Sequence, residues 1–249
     1  MKALISLVAL LATIIVNFLA NALPINGVTQ ADISSRFQVY FTPAGYVFSI
    51  WGLIYLALIG FVVYQFLPKN RNDESLRQIR VPFWVSCLAN ITWIFVWHYE
   101  RYALSMLAML TILASVIVIN RHTAAAAQTT GFRWFVSYPF RLYLGWITVA
   151  TLANLTVVVD YYGLRPFDLS AQAWAVAMVV LAGGISFAVG VIRRDQIFLG
   201  VTVWALIGIG VARDWTGGVA LSATVVTALV CGVAAYAALR STRRAAPVT

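Results

Sequence analysis

Charged residues are scarce in this sequence. Only 10% of its 249 residues are Asp, Glu, Lys or Arg, while 62% are hydrophobic. An ordinary soluble domain carries about a quarter charged residues, and a water-soluble fold of this length could not bury so much apolar surface. The composition therefore predicts an integral membrane protein in a lipid bilayer, with any site among its helices or in their short loops.

Residues that bind metals or perform catalysis are equally scarce. The two cysteines, Cys87 and Cys231, lie inside apolar runs, where a thiol behaves as a small hydrophobic group. The two histidines, His98 and His122, lie at the ends of runs with no partner nearby in sequence, so we predict neither a disulfide framework nor a metal site. A phosphate-binding glycine loop, a His-Glu-x-x-His motif and a nucleophile elbow are all absent from the sequence. We predict no cofactor and assign no catalytic residue.

Long apolar runs without any charge make up most of the chain. They lie near residues 3–23, 44–66, 82–98, 102–120, 140–159, 172–192, 197–212 and 218–239. Most reach the roughly 20 residues that cross a hydrocarbon core of about 30 Å. The predicted fold is an all-α, polytopic membrane helix bundle of about eight transmembrane helices. The run at 197–212 is short enough to be a re-entrant arm, which leaves six or seven spans open.

The first run has some features of a secretory signal. Lys2 precedes the apolar stretch, and the small residues of 20–22 resemble a cleavage site. A signal core is usually about 7–15 residues long, and this run is longer, which favours a retained first span.

The basic residues give the chain a net charge of +9, and their positions indicate orientation rather than binding of nucleic acid. With eight spans, most of them fall on one side of the membrane. The exceptions are Arg36, Arg101, Arg165 and Arg213. The positive-inside rule then places both termini in the cytoplasm, and the plasma (inner) membrane is the expected location. No acidic residue lies at mid-depth in a run, which argues against a proton-coupled pump.

Aromatic and amide side chains recur at helical spacing in three runs. The sets are Phe48, Trp51 and Tyr55, then Asn90, Trp93 and Trp97, then Tyr143, Trp146 and Asn154. Residues with this spacing share one helix face. Aromatic belts at the membrane surface are the simpler explanation for any single ring. The two amides need partners that lipid does not offer, so they should face the bundle interior, as interhelical bonds or as pocket polarity. Trp97 and Trp134 fall nearer the ends of runs and are predicted to lie outside a pocket.

Three ordered motifs resemble a known family. Residues 42–56, TPAGYVFSIWGLIYL, resemble the Pro-x-x-Trp-Val-Phe-Gly-x-x-Trp-x-x-x-Tyr segment of the TspO/MBR family, the translocator proteins and tryptophan-rich sensory proteins. Residues 88–93, LANITW, are similar to its Leu-Asn-x-x-Trp, and residues 138–154 to its Pro-Tyr-x-x-Trp-x-x-Phe-Ala-Thr-x-x-Asn. The departures are a single Pro43, Tyr46 for Trp, Ile94 for Pro, and Tyr102 where many members carry Trp. They concern ligand identity more than fold.

The resemblance implies a TspO-like five-helix membrane domain over residues 1–163. A three-helix membrane extension would follow at 164–239, and a basic cytoplasmic tail at 240–249. It also implies a cavity for a porphyrin-like, sterol-like or other hydrophobic small molecule. The residues assigned to that cavity are Tyr46, Phe48, Trp51, Tyr55, Asn90, Trp93, Tyr102, Tyr143, Trp146 and Asn154.

The function implied by the resemblance is binding or sensing of tetrapyrroles or similar ligands. A facilitative transporter using the same cavity and a membrane enzyme that degrades porphyrin remain open. Beyond residue 163, small residues predict close helix packing, at Ala182, Ser186 and Gly190 in one run and at Gly208 and Gly210 in the next. The partner in this packing is either the first five helices or a second subunit, so a homodimer is also left open.

Overall fold

A computed structural model of the chain describes residues 2–28, 33, 36, 37, 39–126 and 128–245, with side chains up to residue 236. In this part of the chain there are eight long helices and no β-strand. The helices are α1 Lys2–Ala22, α2 Gly45–Phe66, α3 Glu74–His98, α4 Tyr102–Ala125, α5 Thr130–Tyr161, α6 Ala171–Ile192, α7 Gln196–Val211 and α8 Gly217–Ala245.

Seven of these helices are long and apolar enough to cross a membrane. The remaining one, α7, has 16 residues, which span about 24 Å at 1.5 Å per residue. It corresponds to the short apolar run predicted at residues 197–212. The prediction of an all-α polytopic membrane bundle of about eight helices is confirmed.

Two helices begin well before the apolar runs that predicted them. The α3 helix starts at Glu74 instead of near residue 82, because the Asp73 carboxylate accepts hydrogen bonds from the amides of Ser75 and Leu76. Similarly, Thr129 caps the start of α5, ten residues before the predicted run. Capping side chains satisfy amides that the first helical turn leaves unpaired. The polar turns at these ends therefore continue the helix beyond its apolar part.

The chain forms two compact units. Unit 1 contains Met1–Gln38 and Phe48–Leu164, and unit 2 contains Val39–Val47 and Arg165–Thr249. Residues 39–47 therefore group with the C-terminal helices although they precede most of α2. The domain boundaries inferred from the sequence, 163/164 and 239/240, stay predictions.

The five helices of unit 1 form a closed ring. The α3 helix packs against α1 and α4, α5 packs against α4 and α2, and α2 packs against α1. Three phenylalanines fill part of the interior. Phe61, Phe83 and Phe140 are fully buried, and their ring centroids lie 4.8 to 6.0 Å apart. This buried layer joins α2, α3 and α5.

In unit 2, α6, α7 and α8 pack against one another through small residues. Ala182 and Ser186 are buried. A β-carbon added to Gly190 would lie 2.8 Å from the Leu199 Cβ atom of α7, so only glycine allows this approach. The close packing predicted from the small residues is confirmed within unit 2.

The segment before α2 also packs in unit 2. The Ala44 amide donates to the Gly208 carbonyl at 3.0 Å, and the Trp204 indole N–H donates to the Val47 carbonyl at 3.3 Å. A β-carbon on Gly208 would collide with the Val47 side chain and lie 3.3 Å from the Pro43 Cβ atom. The absence of a side chain at Gly208 thus permits the contact.

Candidate ligand-binding site

Five of the aromatic residues assigned to the cavity contact one another between α2 and α5. We call them the aromatic cluster: Phe48, Trp51, Tyr55, Tyr143 and Trp146. The Trp51 ring stacks on Tyr55 with centroids 5.4 Å apart and meets Tyr143 and Trp146 edge-on, each at 6.1 Å. Phe48 meets Trp146 edge-on at 5.8 Å. These are ordinary separations of interacting aromatic pairs.

The cluster is buried on its α5 side and partly open on its α2 side. Tyr143 and Trp146 are 3% and 2% exposed, whereas Phe48 is 36% exposed. Trp51 and Tyr55 lie between these extremes. A hydrophobic molecule can therefore reach the rings of α2 without separating the helices.

Two polar atoms of the cluster are buried without a partner. The Tyr55 hydroxyl and the Trp146 indole nitrogen form no hydrogen bond. Leaving a buried donor unpaired costs about 1–3 kcal/mol, and both belong to side chains that point into a group of rings. An acceptor atom on a bound molecule would satisfy them.

The two amides face the interior of unit 1, as predicted, and each bonds a neighbouring helix. Asn90 is 2% exposed and accepts a hydrogen bond from the Asn17 amide nitrogen at 2.7 Å, which joins α1 to α3. Its side chain also lies beside the Tyr143 hydroxyl of the aromatic cluster. Asn90 therefore connects the cluster to α1.

Asn154 is 3% exposed and serves α3, α4 and α5 together. Its Oδ1 atom accepts from the Trp93 indole at 2.8 Å and from the Ser105 hydroxyl at 3.2 Å. Its amide nitrogen lies 3.6 Å from the Met106 sulfur atom. Both the oxygen and the nitrogen of this amide thus contact side chains of α3 and α4, which favours a structural role for Asn154.

Trp93 and Tyr102 belong to a second aromatic group on α3 and α4. Its centre is Trp97, which stacks on Trp93 at 5.2 Å and meets Tyr102 edge-on at 5.2 Å. Trp97 was predicted to lie near the membrane surface and outside a pocket. The ring is 5% exposed and its indole nitrogen has no partner among the described residues, while its position relative to a pocket stays a prediction. Trp93 and Trp97 follow Asn90 by three and seven residues, and this helical spacing was the sequence signal that could have placed Trp97 in the group.

The remaining assigned residue, Tyr46, lies in unit 2. Its ring is 44% exposed and meets the Trp204 ring of α7 edge-on, with centroids 5.2 Å apart. Trp204 lies outside the three motifs, so no sequence pattern indicated this contact.

Comparison with known proteins agrees with the motifs and extends beyond them. A family model described as TSPO-like protein matches residues 3–239, which includes the last three helices. No curated protein and no solved structure matches the chain. Because the family model covers nearly the whole sequence, the chain belongs to the family of TSPO-like membrane proteins.

Proposed function

We propose that this protein binds or senses a tetrapyrrole, or a similar flat hydrophobic molecule, at the aromatic cluster. The observation that carries the proposal is the pair of buried, unpartnered donors, the Tyr55 hydroxyl and the Trp146 indole N–H, set among stacked rings. A tetrapyrrole with acidic side chains offers both a broad apolar face and oxygen acceptors. It therefore matches the two chemical features of the cluster.

Stacking and burial supply the affinity in this proposal. A small molecule in an apolar pocket buries most of its surface, and each aromatic contact adds about 0.5–1.5 kcal/mol beyond that burial. The partly exposed Trp51 and Tyr55 rings of α2 offer the first contact surface. The donors then fix the orientation of the ligand, because an acceptor must lie within hydrogen-bonding distance of them.

The buried layer of Phe61, Phe83 and Phe140 favours binding over transport. These rings fill the interior between α2, α3 and α5, so a ligand would have to displace close-packed aromatic side chains to pass.

Catalysis is less favoured for another reason, since the five residues of the aromatic cluster include no carboxylate, imidazole or thiol.

The donors can be tested by substitutions that keep an aromatic ring at each position, and Tyr55→Phe keeps the ring itself unchanged. Tyr55→Phe and Trp146→Phe each delete one donor, and Trp134→Phe is a matched control because Trp134 lies on the same helix and is 65% exposed. We expect each cluster variant to weaken porphyrin affinity about fivefold or more, where tenfold corresponds to about 1.4 kcal/mol. The control variant should bind porphyrin as tightly as wild type. Porphyrin absorbance in detergent measures this without relying on tryptophan emission. Equal affinity across all four proteins would overturn the proposal.

The same samples separate the alternative functions. Recovery of unchanged porphyrin by mass spectrometry after prolonged incubation supports a binding protein, while turnover would identify an enzyme. Porphyrin entry into sealed vesicles that depends on the protein would identify a transporter. The homodimer that the sequence leaves open is tested by the mass of the purified particle in light scattering.

A further inference from the structure

Outside the aromatic cluster, two polar side chains pair inside the ring of unit 1. Arg80 of α3 is 5% exposed, Gln65 of α2 is 0% exposed, and the Arg80 Nε atom donates to the Gln65 Oε1 atom at 3.0 Å. The Ser6 hydroxyl of α1 donates to the same oxygen at 3.3 Å and accepts from the Trp84 indole at 2.9 Å. The Gln65 amide nitrogen, in contrast, is buried with no partner.

The Arg80 guanidinium forms no ion pair with a carboxylate among the described residues, and the Asp73 charge acts on it only at longer range. Asp73 uses its carboxylate to cap α3, and Glu74 forms an ion pair with Arg77. A buried cation is stable only when its charge is balanced or hydrogen-bonded. Its Nε bond to Gln65 leaves the terminal nitrogens of the guanidinium available to an anion.

These two side chains line a cleft of about 440 Å³. The described residues around it are Lys2, Ala3, Leu4, Gln65, Phe66, Arg71 and Arg80. None of them is acidic, and Lys2 and Arg71 add two positive charges to that of Arg80. Leu4 and Phe66 are 54% and 42% exposed, so the cleft is bordered by apolar surface that can face lipid.

We propose that this cleft binds the phosphate group of an anionic phospholipid. The phosphate accepts hydrogen bonds from the terminal nitrogens of Arg80 and from the Gln65 amide nitrogen, and Lys2 and Arg71 balance its charge. Guanidinium groups suit phosphate because their planar donors match its oxygens. The acyl chains lie along Leu4 and Phe66. The site is separate from the aromatic cluster and does not depend on porphyrin binding.

Two variants of equal charge test the site. Arg71→Gln and Arg77→Gln each remove one cation from the same stretch of chain, but only Arg71 lines the cleft. In isothermal titration of the delipidated protein in a neutral detergent, we expect short-chain phosphatidylglycerol to bind wild type and Arg77→Gln equally. Arg71→Gln should bind it at least fivefold more weakly, and short-chain phosphatidylcholine should not bind measurably. Equal losses in both variants, or equal binding of the two lipids, would overturn the proposal.

A third variant places an anion beside Arg80 without disturbing the fold. Gln65→Glu keeps the acceptor for the Arg80 Nε atom and supplies the carboxylate that the guanidinium lacks. We expect this variant to be folded by gel filtration and to lose phosphatidylglycerol binding. Unchanged binding would overturn the role of Arg80. Inorganic phosphate separates the two sources of the anion, since binding as tight as that of the lipid would show a site for free phosphate and refute the lipid.

Discussion

The indole N–H of Trp93 donates to the Asn154 Oδ1 atom across 2.8 Å, and this bond joins α3 to α5 on either side of α4. Ser105 of α4 donates to the same oxygen. One amide oxygen therefore holds three consecutive helices of the ring. Inside a bilayer no water replaces these bonds when the amide is removed.

Asn154→Leu should destabilise unit 1. Interhelical hydrogen bonds in membrane proteins contribute about 0.6–2 kcal/mol. The substitution leaves the Trp93 indole donor unpaired, whereas Ser105 keeps its bond to the Tyr102 carbonyl. Unfolding in mixed detergent micelles measures the change. Asn21→Leu is the control, because Asn21 is exposed on α1 and, among the described residues, bonds only within its own helix. An Asn154 variant as stable as the Asn21 variant would contradict this role.

Replacing single tryptophans should separate ligand contacts from structural ones. Trp51→Leu and Trp146→Leu remove rings of the aromatic cluster, so porphyrin affinity should fall about fivefold or more at about 0.5–1.5 kcal/mol per ring contact. Trp93→Leu removes the bond to Asn154 and should mainly lower stability. Trp134→Leu should change neither quantity. The measurement is a porphyrin titration corrected for the folded fraction by gel filtration. A uniform loss of stability with unchanged affinity would exclude the cluster as the site.

Two glycines of α7 should respond to alanine with opposite signs. A β-carbon on Gly208 collides with Val47, whose branched side chain has little freedom to move, so Gly208→Ala should lower stability by about 1–3 kcal/mol. Nothing lies within 4 Å of a β-carbon on Gly200. Gly200→Ala should therefore raise stability by up to about 1 kcal/mol through helix propensity. Thermal unfolding of the two variants gives the signs, and equal shifts would contradict the close approach at Gly208.

Reporter fusions should give both termini in the cytoplasm. Fusions after Asn72 and Ala245 should report cytoplasm, and one after Gly163 the outside, because the positive-inside rule assigns the side with more basic residues to the cytoplasm. If the 16-residue α7 crosses the membrane, a fusion after Arg194 reports cytoplasm and one after Thr216 the outside. The ion pair between Arg36 and Glu100 agrees with this scheme by placing the two loops at one end of unit 1. An outside signal at Ala245 with a cytoplasmic one at Asn72 would refute eight spans.

The sequence was sufficient to predict the helices. Charged side chains are costly inside a membrane, so each span appears in the sequence as an uncharged apolar run. It also predicted the inward orientation of Asn90 and Asn154, since an amide in hydrocarbon needs a partner. Helix starts were harder to predict. A capping residue such as Asp73 begins a helix with polar residues, and a hydropathy profile assigns these residues to the preceding loop.

Contacts between distant parts of the chain were not predictable. Trp97 lies at the end of α3, where a tryptophan usually marks the membrane surface. Its burial comes with ring contacts to Trp93 and to Tyr102 of the next helix. Tyr46 lies within a family motif at a position where the family has Trp, and its ring partner is Trp204, far along the chain. The Arg80 cleft likewise depends on α1, α2 and α3 converging, and no local pattern marks it.

The placement of residues 39–47 has a consequence for how this chain can be divided. The segment packs with α7, and the Arg213 guanidinium donates to the Val39 carbonyl at 3.0 Å. A chain cut after residue 164 would keep this segment and lose its partners, leaving the Val39 and Val47 carbonyls and the Ala44 amide without the bonds they make to α7 and its C-terminal turn. The two units are therefore not modules that a single crossover could exchange between related proteins.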